Sequence, residues 1–120
     1  NVYIVWALSN TQYKNLTIEL DYLVNLARDA VELGLINPYY LSLLASSLYN
    51  VGRNEEGDEF ATLVVPLQKS TGNVTGSPNS ITLSSGQNLI IETTAIAVIA
   101  WLNNEEKFGK NIELGINWLV

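Results

Sequence analysis

Residues 80–102 read SITLSSGQNLIIETTAIAVIAWL, and the reading of this stretch decides the fold. Its first half alternates in steps of two, with Ile81 and Leu83 on one side of Ser84-Ser85-Gly86-Gln87-Asn88 and Leu89 and Ile91 on the other. That alternation predicts a small β-hairpin near 80–91, closed by a glycine-containing turn. Its second half, Thr93 to Leu102, is apolar on every face and carries no charge, so a helix there must be covered on all sides.

Outward from this stretch, other segments show the same contrast between uncharged and amphipathic helices. Residues 2–8 (VYIVWAL) are apolar all round, and residues 38–49 (PYYLSLLASSLY) are uncharged behind Asn37-Pro38, a cap residue followed by a proline suited to a first helical turn. Between them, Leu16, Leu20, Leu23, Ala27, Ala30 and Val31 recur in threes and fours up to a stop at Gly34, which predicts an amphipathic helix over 16–33. After Asn50 and Gly52, Asn54 is expected to cap a helix with Glu55, Glu56, Asp58 and Glu59 in its first turn. Phe60, Leu63, Val64 and Leu67 form that helix's apolar side, and Pro66 must kink or finish it. Residues 71–78 (TGNVTGSP) read as a loop. A last helix over 107–120 carries Phe108, Ile112, Ile116 and Leu119 on one side, with Gly115 as a weak point.

The uncharged and amphipathic helices alternate three times, which predicts an all-α single domain over 1–120: three helical hairpins with an inner and an outer layer, plus the β-hairpin insertion. The inner helices end alike, at Ala7-Leu8-Ser9-Asn10, Ser47-Leu48-Tyr49-Asn50 and Ala100-Trp101-Leu102-Asn103, with offsets of 40 and 53 residues. The second repeat is longer because of the segment between Thr71 and Asn88. This shared ending is also what makes 2–8 a helix rather than a strand.

Composition narrows the function classes. The net charge is −6 and the six Lys and Arg are scattered, so a concentrated basic face for nucleic acid is not expected. No apolar run approaches the roughly 20 residues of a membrane-spanning helix, so direct membrane insertion is not expected either. There is no Cys, Met or His. A start at Asn1 inside an apolar run predicts a processed or excised piece of a longer parent.

The stretch 79–102 resembles the segment of α2-macroglobulin-like proteins, especially bacterial-type members, that enters an inner helix of their thioester domain; the SIT…ETTA…AWL spelling carries the likeness. Residues 2–8, 38–53 (PYYLSLLASSLYNVGR) and 115–120 (GINWLV) are similar to further pieces of the same domain in the same order. The resemblance implies an α/α toroid of about six hairpins, of which three would be half. It implies a secreted or periplasmic parent that traps proteinases, with the rest of the parent chain as the partner and the proteinases met through that parent. The family's chemistry is an internal Cys–Gln thioester in a Gly-Cys-Gly-Glu-Gln-type motif. With no Cys in the chain, no catalytic, cofactor or metal residue carries over.

The remaining candidates read as structural. Glu92 is the one carboxylate in the central apolar run and is expected at the start of the inner helix, where free N–H groups and the helix dipole would satisfy it. Glu55, Glu56, Asp58 and Glu59 lack the spacing of a calcium loop. Trp6, Trp101 and Trp118 are expected to pack between layers. Asn15-Leu16-Thr17 and Asn73-Val74-Thr75 match the glycosylation pattern, relevant only in a eukaryotic secreted parent. Two rival functions compete with this reading. A toroid enzyme of the polysaccharide lyase or terpenoid cyclase type would have only Tyr39 and Tyr40 leaning inward, and a tetratricopeptide-like scaffold is disfavoured by the 40 and 53 offsets. Apolar inner-layer edges at both ends predict self-association.

Overall fold

The computed structural model describes residues 1–78 and 85–120. Among them are six α-helices: α1 (Val2–Ser9), α2 (Thr17–Glu32), α3 (Pro38–Asn50), α4 (Asn54–Val64), α5 (Gly86–Trp101) and α6 (Glu105–Leu119). Two 3-10 turns, Val65–Leu67 and Leu102–Asn104, finish α4 and lead into α6. No strand occurs among the described residues; the single antiparallel bridge joins Gln68 and Val74.

Local chemistry sets the boundaries. Asn37 caps α3 with its side-chain oxygen, which accepts from the N–H groups of Tyr39 (3.1 Å) and Tyr40 (3.3 Å) above Pro38 in the first turn. Gly34 and Gly52 take positive φ, +76° and +87°, just past α2 and α3. Beyond them Leu35 N–H bonds Ala30 O (2.9 Å) and Arg53 N–H bonds Leu48 O (2.8 Å), satisfying carbonyls that would otherwise be orphaned. Proline ends α4 as expected: Pro66 lies in the 3-10 turn, where its missing N–H breaks the ladder.

α3 pairs with α4 and α5 with α6, while α2 packs more on α3 than on α1; α1, α3 and α5 adjoin one another in that order, α1 and α3 without charge and α5 with Glu92 alone. α3 is therefore the centre of the molecule, packed on α1, α2, α4 and α5, and every residue from 41 to 49 is buried. The main core joins Leu20, Val24, Leu44, Leu48, Phe60, Val64, Trp101 and Phe108 across both layers. A smaller cluster of Tyr39, Leu43 and Ile96, with Val2, Tyr3 and Trp6 against it, lies between α1, α3 and α5.

Four expectations change. The apolar run from Thr93 to Leu102 is not covered on all sides, since Ile99 and Leu102 are 45% and 44% exposed. The β-hairpin near 80–91 is not formed by its second arm: Leu89 and Ile91 belong to α5, which begins at Gly86, while the first arm, 79–84, lies outside the described residues. Two apolar residues two apart fit either period. The helix prevails because Leu89, Thr93, Ile96, Ala97 and Ala100 continue as one buried helical face, whereas Ile91 points to solvent. Glu92 is consequently the seventh residue of α5, not an acid at its start. Lastly, Asn54 is the first helical residue of α4 rather than its cap; the cap position is Arg53, whose guanidinium bonds Glu56 (2.6 Å and 2.9 Å).

Gly115, a helix-weakening residue on propensity alone, sits where α6 meets α5. A Cβ there would lie 2.5 Å from Val98 Cγ2. The loop after α4 is likewise held inward: Gln68 Nε2 donates to Gly72 O (3.0 Å) and Asn111 O (2.9 Å), and Val74 N–H donates to Thr94 Oγ1 (2.8 Å).

Candidate functional site

Aligning α1, α3 and α5 on their terminal asparagines exposes a repeated interface. Asn10 and Asn103 make the same bond, each donating its side-chain amide to the carbonyl four residues back, Trp6 O (2.9 Å) and Ile99 O (3.2 Å). Asn50 instead reaches the preceding hairpin, donating to Ser9 Oγ (3.1 Å) and Asn10 Oδ1 (3.2 Å). In this register Val5, Ala45 and Val98 are equivalent, and all are buried.

α1, α3 and α5 then each have two lateral faces. The forward face holds Val2, Trp6 and Ser9 in α1, Ser42, Ser46 and Tyr49 in α3, and Ala95, Ile99 and Leu102 at the end of α5. On the far side of the helical wheel from these stand Ile4 and Ala7, then Leu44 and Ser47, then Ala97 and Ala100, as a backward face, whereas Tyr3, Leu43 and Ile96 meet in the smaller cluster. On α3 both faces are buried. On α5 the backward face is buried, but Ile99 and Leu102 are 45% and 44% exposed. On α1 the reverse holds, with Ile4 57% exposed against 0% for its equivalent Leu44. A third equivalent set, Leu8, Leu48 and Trp101, meets the outer layer. Trp101 Nε1 donates to Ala61 O of α4 (3.1 Å), and Leu8 has no such cover and is 40% exposed.

The polar side chains are used to join helices. Tyr39, buried, donates its hydroxyl to Glu92 Oε1 (3.3 Å), so the carboxylate that the sequence places in an apolar run is met from α3. Ser77 Oγ accepts from Tyr39 N–H (3.2 Å) and from Thr93 Oγ1 (3.1 Å). Tyr40 points elsewhere, with its hydroxyl 3.4 Å from Leu23 O. The acidic first turn of α4 is dispersed rather than gathered into one site. Glu59 takes a two-point bond from Arg28 (2.8 Å and 3.0 Å), Glu56 pairs with Arg53, and Arg53 also reaches Asp21 (2.8 Å). Asp58 faces the third hairpin, accepting from Tyr49 Oη and from Asn104 Nδ2 (3.0 Å).

These contacts shift several protonation equilibria. Arg28 holds the Glu59 carboxyl below the usual carboxylate range, against the opposing effect of burial. At Asp58 burial pushes the carboxyl up but is outweighed by the bonds from Asn104 and Tyr49 and the charge of Lys107, so the net shift is downward. Burial, reinforced by Asp58, pushes the Tyr49 hydroxyl well up. No group of three or more acidic residues among the described residues is arranged to hold a metal ion.

Of the tryptophans, Trp101 is fully buried between layers as expected, while Trp6 and Trp118 are half-buried. Asn15 is exposed just before α2, and Asn73 is half-buried in the docked loop. Sequence reasoning missed the pair Ser42 and Ser46, buried hydroxyls without a hydrogen-bond partner, and the Tyr39–Glu92 bond. The serines lie in an uncharged helix, so the lack of any polar partner nearby was the available signal; the Tyr39–Glu92 bond spans 53 residues and has none. An open apolar groove of about 630 Å³ runs along Leu26, Ala30, Leu35, Ile36, Tyr40 and Pro78. No helix among the described residues is long and apolar enough to cross a membrane.

Comparison of the chain with protein-family models, curated proteins and solved structures found no match.

Proposed function

We propose that this chain is a structural segment of the thioester-domain toroid of an α2-macroglobulin-like proteinase trap, acting outside the cell or in the periplasm. What carries the reading is the layered order: α1, α3 and α5, nearly free of charge, in one layer, and amphipathic α2, α4 and α6 in the other. The order fits a helical array, and the spelling of 79–102, 2–8, 38–53 and 115–120 favours the macroglobulin toroid over other arrays. The contribution is scaffolding. Its partners are the rest of the parent chain and, through the parent, the proteinases it encloses; no residue of this chain is given a catalytic role. With no Cys in the chain, any thioester belongs elsewhere in the parent.

The test uses the full parent protein incubated with an endopeptidase. Trapping leaves cleavage of small chromogenic peptides intact while protecting large protein substrates, and it compacts the parent on a native gel. An endopeptidase that keeps full activity on protein substrates, with no mobility change in the parent, rejects the reading.

A further inference from the structure

We propose that the apolar groove at the edge of the fold where α2 ends and α3 begins binds a cationic amphiphile, a molecule with an ammonium head and an aliphatic tail. The groove holds about 630 Å³, within the range of small-molecule sites, and is built from internal parts of the chain: α2, the connection into α3, the first turn of α3, and the residues on either side of Ser77. It therefore does not depend on what adjoins either end of the sequence. Its walls are fixed by bonds already made. Gly34, at φ +76°, turns the chain back so that Leu35 N–H bonds Ala30 O (2.9 Å), which sets Leu35 and Ile36 as one wall. Ser77 Oγ accepts from Tyr39 N–H (3.2 Å) and Thr93 Oγ1 (3.1 Å), which holds its neighbours Gly76 and Pro78 as another. Leu35 and Leu26 in the lining are 65% and 44% exposed, so the groove presents apolar surface to solvent.

Size and charge choose the occupant. Within α2 the lining takes only Leu26, Ala27 and Ala30, about 6 Å of helix, which suits an alkyl chain and is too short to seat a partner helix. No charged residue lines the groove, and the charges around it are one-sided. Of the five charged residues of α2, Arg28 is taken up by Glu59 and Asp21 by Arg53, which leaves Glu19, Asp29 and Glu32 without an ion pair among the described residues. Asp29 and Glu32 stand in the last turn of α2, where the carbonyl end of the helix is itself negative and no base offsets it. An apolar trough under a negative potential favours an ammonium over a carboxylate on the same tail. The inference needs neither proteinase trapping nor the macroglobulin kinship, so the two fail separately.

Amide NMR titration of the 120-residue chain with octylammonium and with octanoate, at low salt, tests it. Octylammonium should give saturable shifts at residues 26–41 and at Gly76, with an affinity about fivefold or more above that of octanoate, and added salt should shrink the preference. Ala30→Trp fills the groove and should abolish the shifts for both probes while circular dichroism stays unchanged. The double variant Asp29→Lys, Glu32→Lys alters exposed side chains outside the lining, suits the helix dipole better, and should reverse the order of the two probes. Absence of saturable shifts at 26–41 overturns the inference, as do equal affinities for octylammonium and octanoate. So do shifts that survive Ala30→Trp, or an order of affinity that the double variant leaves as it was.

Discussion

At equivalent positions α3 carries Ser42, Ser46 and Tyr49 where α5 carries Ala95, Ile99 and Leu102, and burial runs opposite to hydropathy. Ser46 is 2% exposed and Ile99 is 45% exposed. The difference lies in the neighbours: α3 has a helix on each side, while α5 has one only behind it. Exposure at these positions thus reports place in the array rather than residue type. The serines also show what the central position demands. Full burial holds there even though two hydroxyls are left without partners, each unmet bond costing about 1–3 kcal/mol.

The same substitution at the two equivalent positions should separate them most widely. Ser46→Asp places a charge where burial is nearly complete and should cost at least about 4 kcal/mol in urea unfolding, enough to populate the unfolded state. Ile99→Asp should stay within about 0.5 kcal/mol in dilute solution. Trp101→Ala, which removes the ring buried at 0% exposure between α4 and α5, should cost about 3–5 kcal/mol by the same measurement. Its equivalent Leu8→Ala should cost under about 1.5 kcal/mol, because Leu8 is already 40% in water. Gly115→Ala forces Val98 aside and should destabilise by about 1–3 kcal/mol despite alanine's better helix propensity.

Acid should loosen the α3–α4–α6 corner at Asp58 and the α2–α4 link at Glu59. The carboxyls of Asp58 and Glu59 are held below their unfolded values, so the native state binds fewer protons than the unfolded chain as pH falls. Their contribution is fully present above about pH 5 and is lost as pH drops through their lowered native values. The thermal midpoint should therefore fall below about pH 4, and Asp58→Asn should flatten that fall. Ser46→Ala, which removes an unsatisfied hydroxyl, should by contrast raise stability by up to about 1 kcal/mol.

Much of the layering was legible in the sequence because charge placement alone separates the helices: α3 has no charged residue, whereas α4 has four acidic ones. The caps at Asn37-Pro38 and the stops at Gly34 and Gly52 were legible for the same local reason. The start of α5 was not. Leu89 and Ile91 satisfy a two-residue period over too short a run to exclude a helix, and only Thr93 and Ile96, buried beside Leu89, decide the matter. Glu92 was misplaced along with that boundary. Its bond from Tyr39 and the joining of α2 to α4 through Arg28 and Glu59 depend on residues brought together by the fold, 53 and 31 positions apart. Gly115 read as a flaw in a helix because its reason, Val98 of the neighbouring helix, is a packing contact rather than a local preference.

Native-state amide hydrogen exchange in dilute solution, compared at residues 4–8, 44–48 and 97–101, tests the repeated interface most directly. The same backbone turn, in the same register, is covered on both sides in α3, on one side in α5, and on its forward side alone in the short α1. The amides of 44–48 should exchange only through global unfolding, those of 97–101 somewhat faster, and those of 4–8 fastest through local opening. Equal protection of 4–8 and 44–48, or faster exchange at 44–48 than at 97–101, would contradict the account.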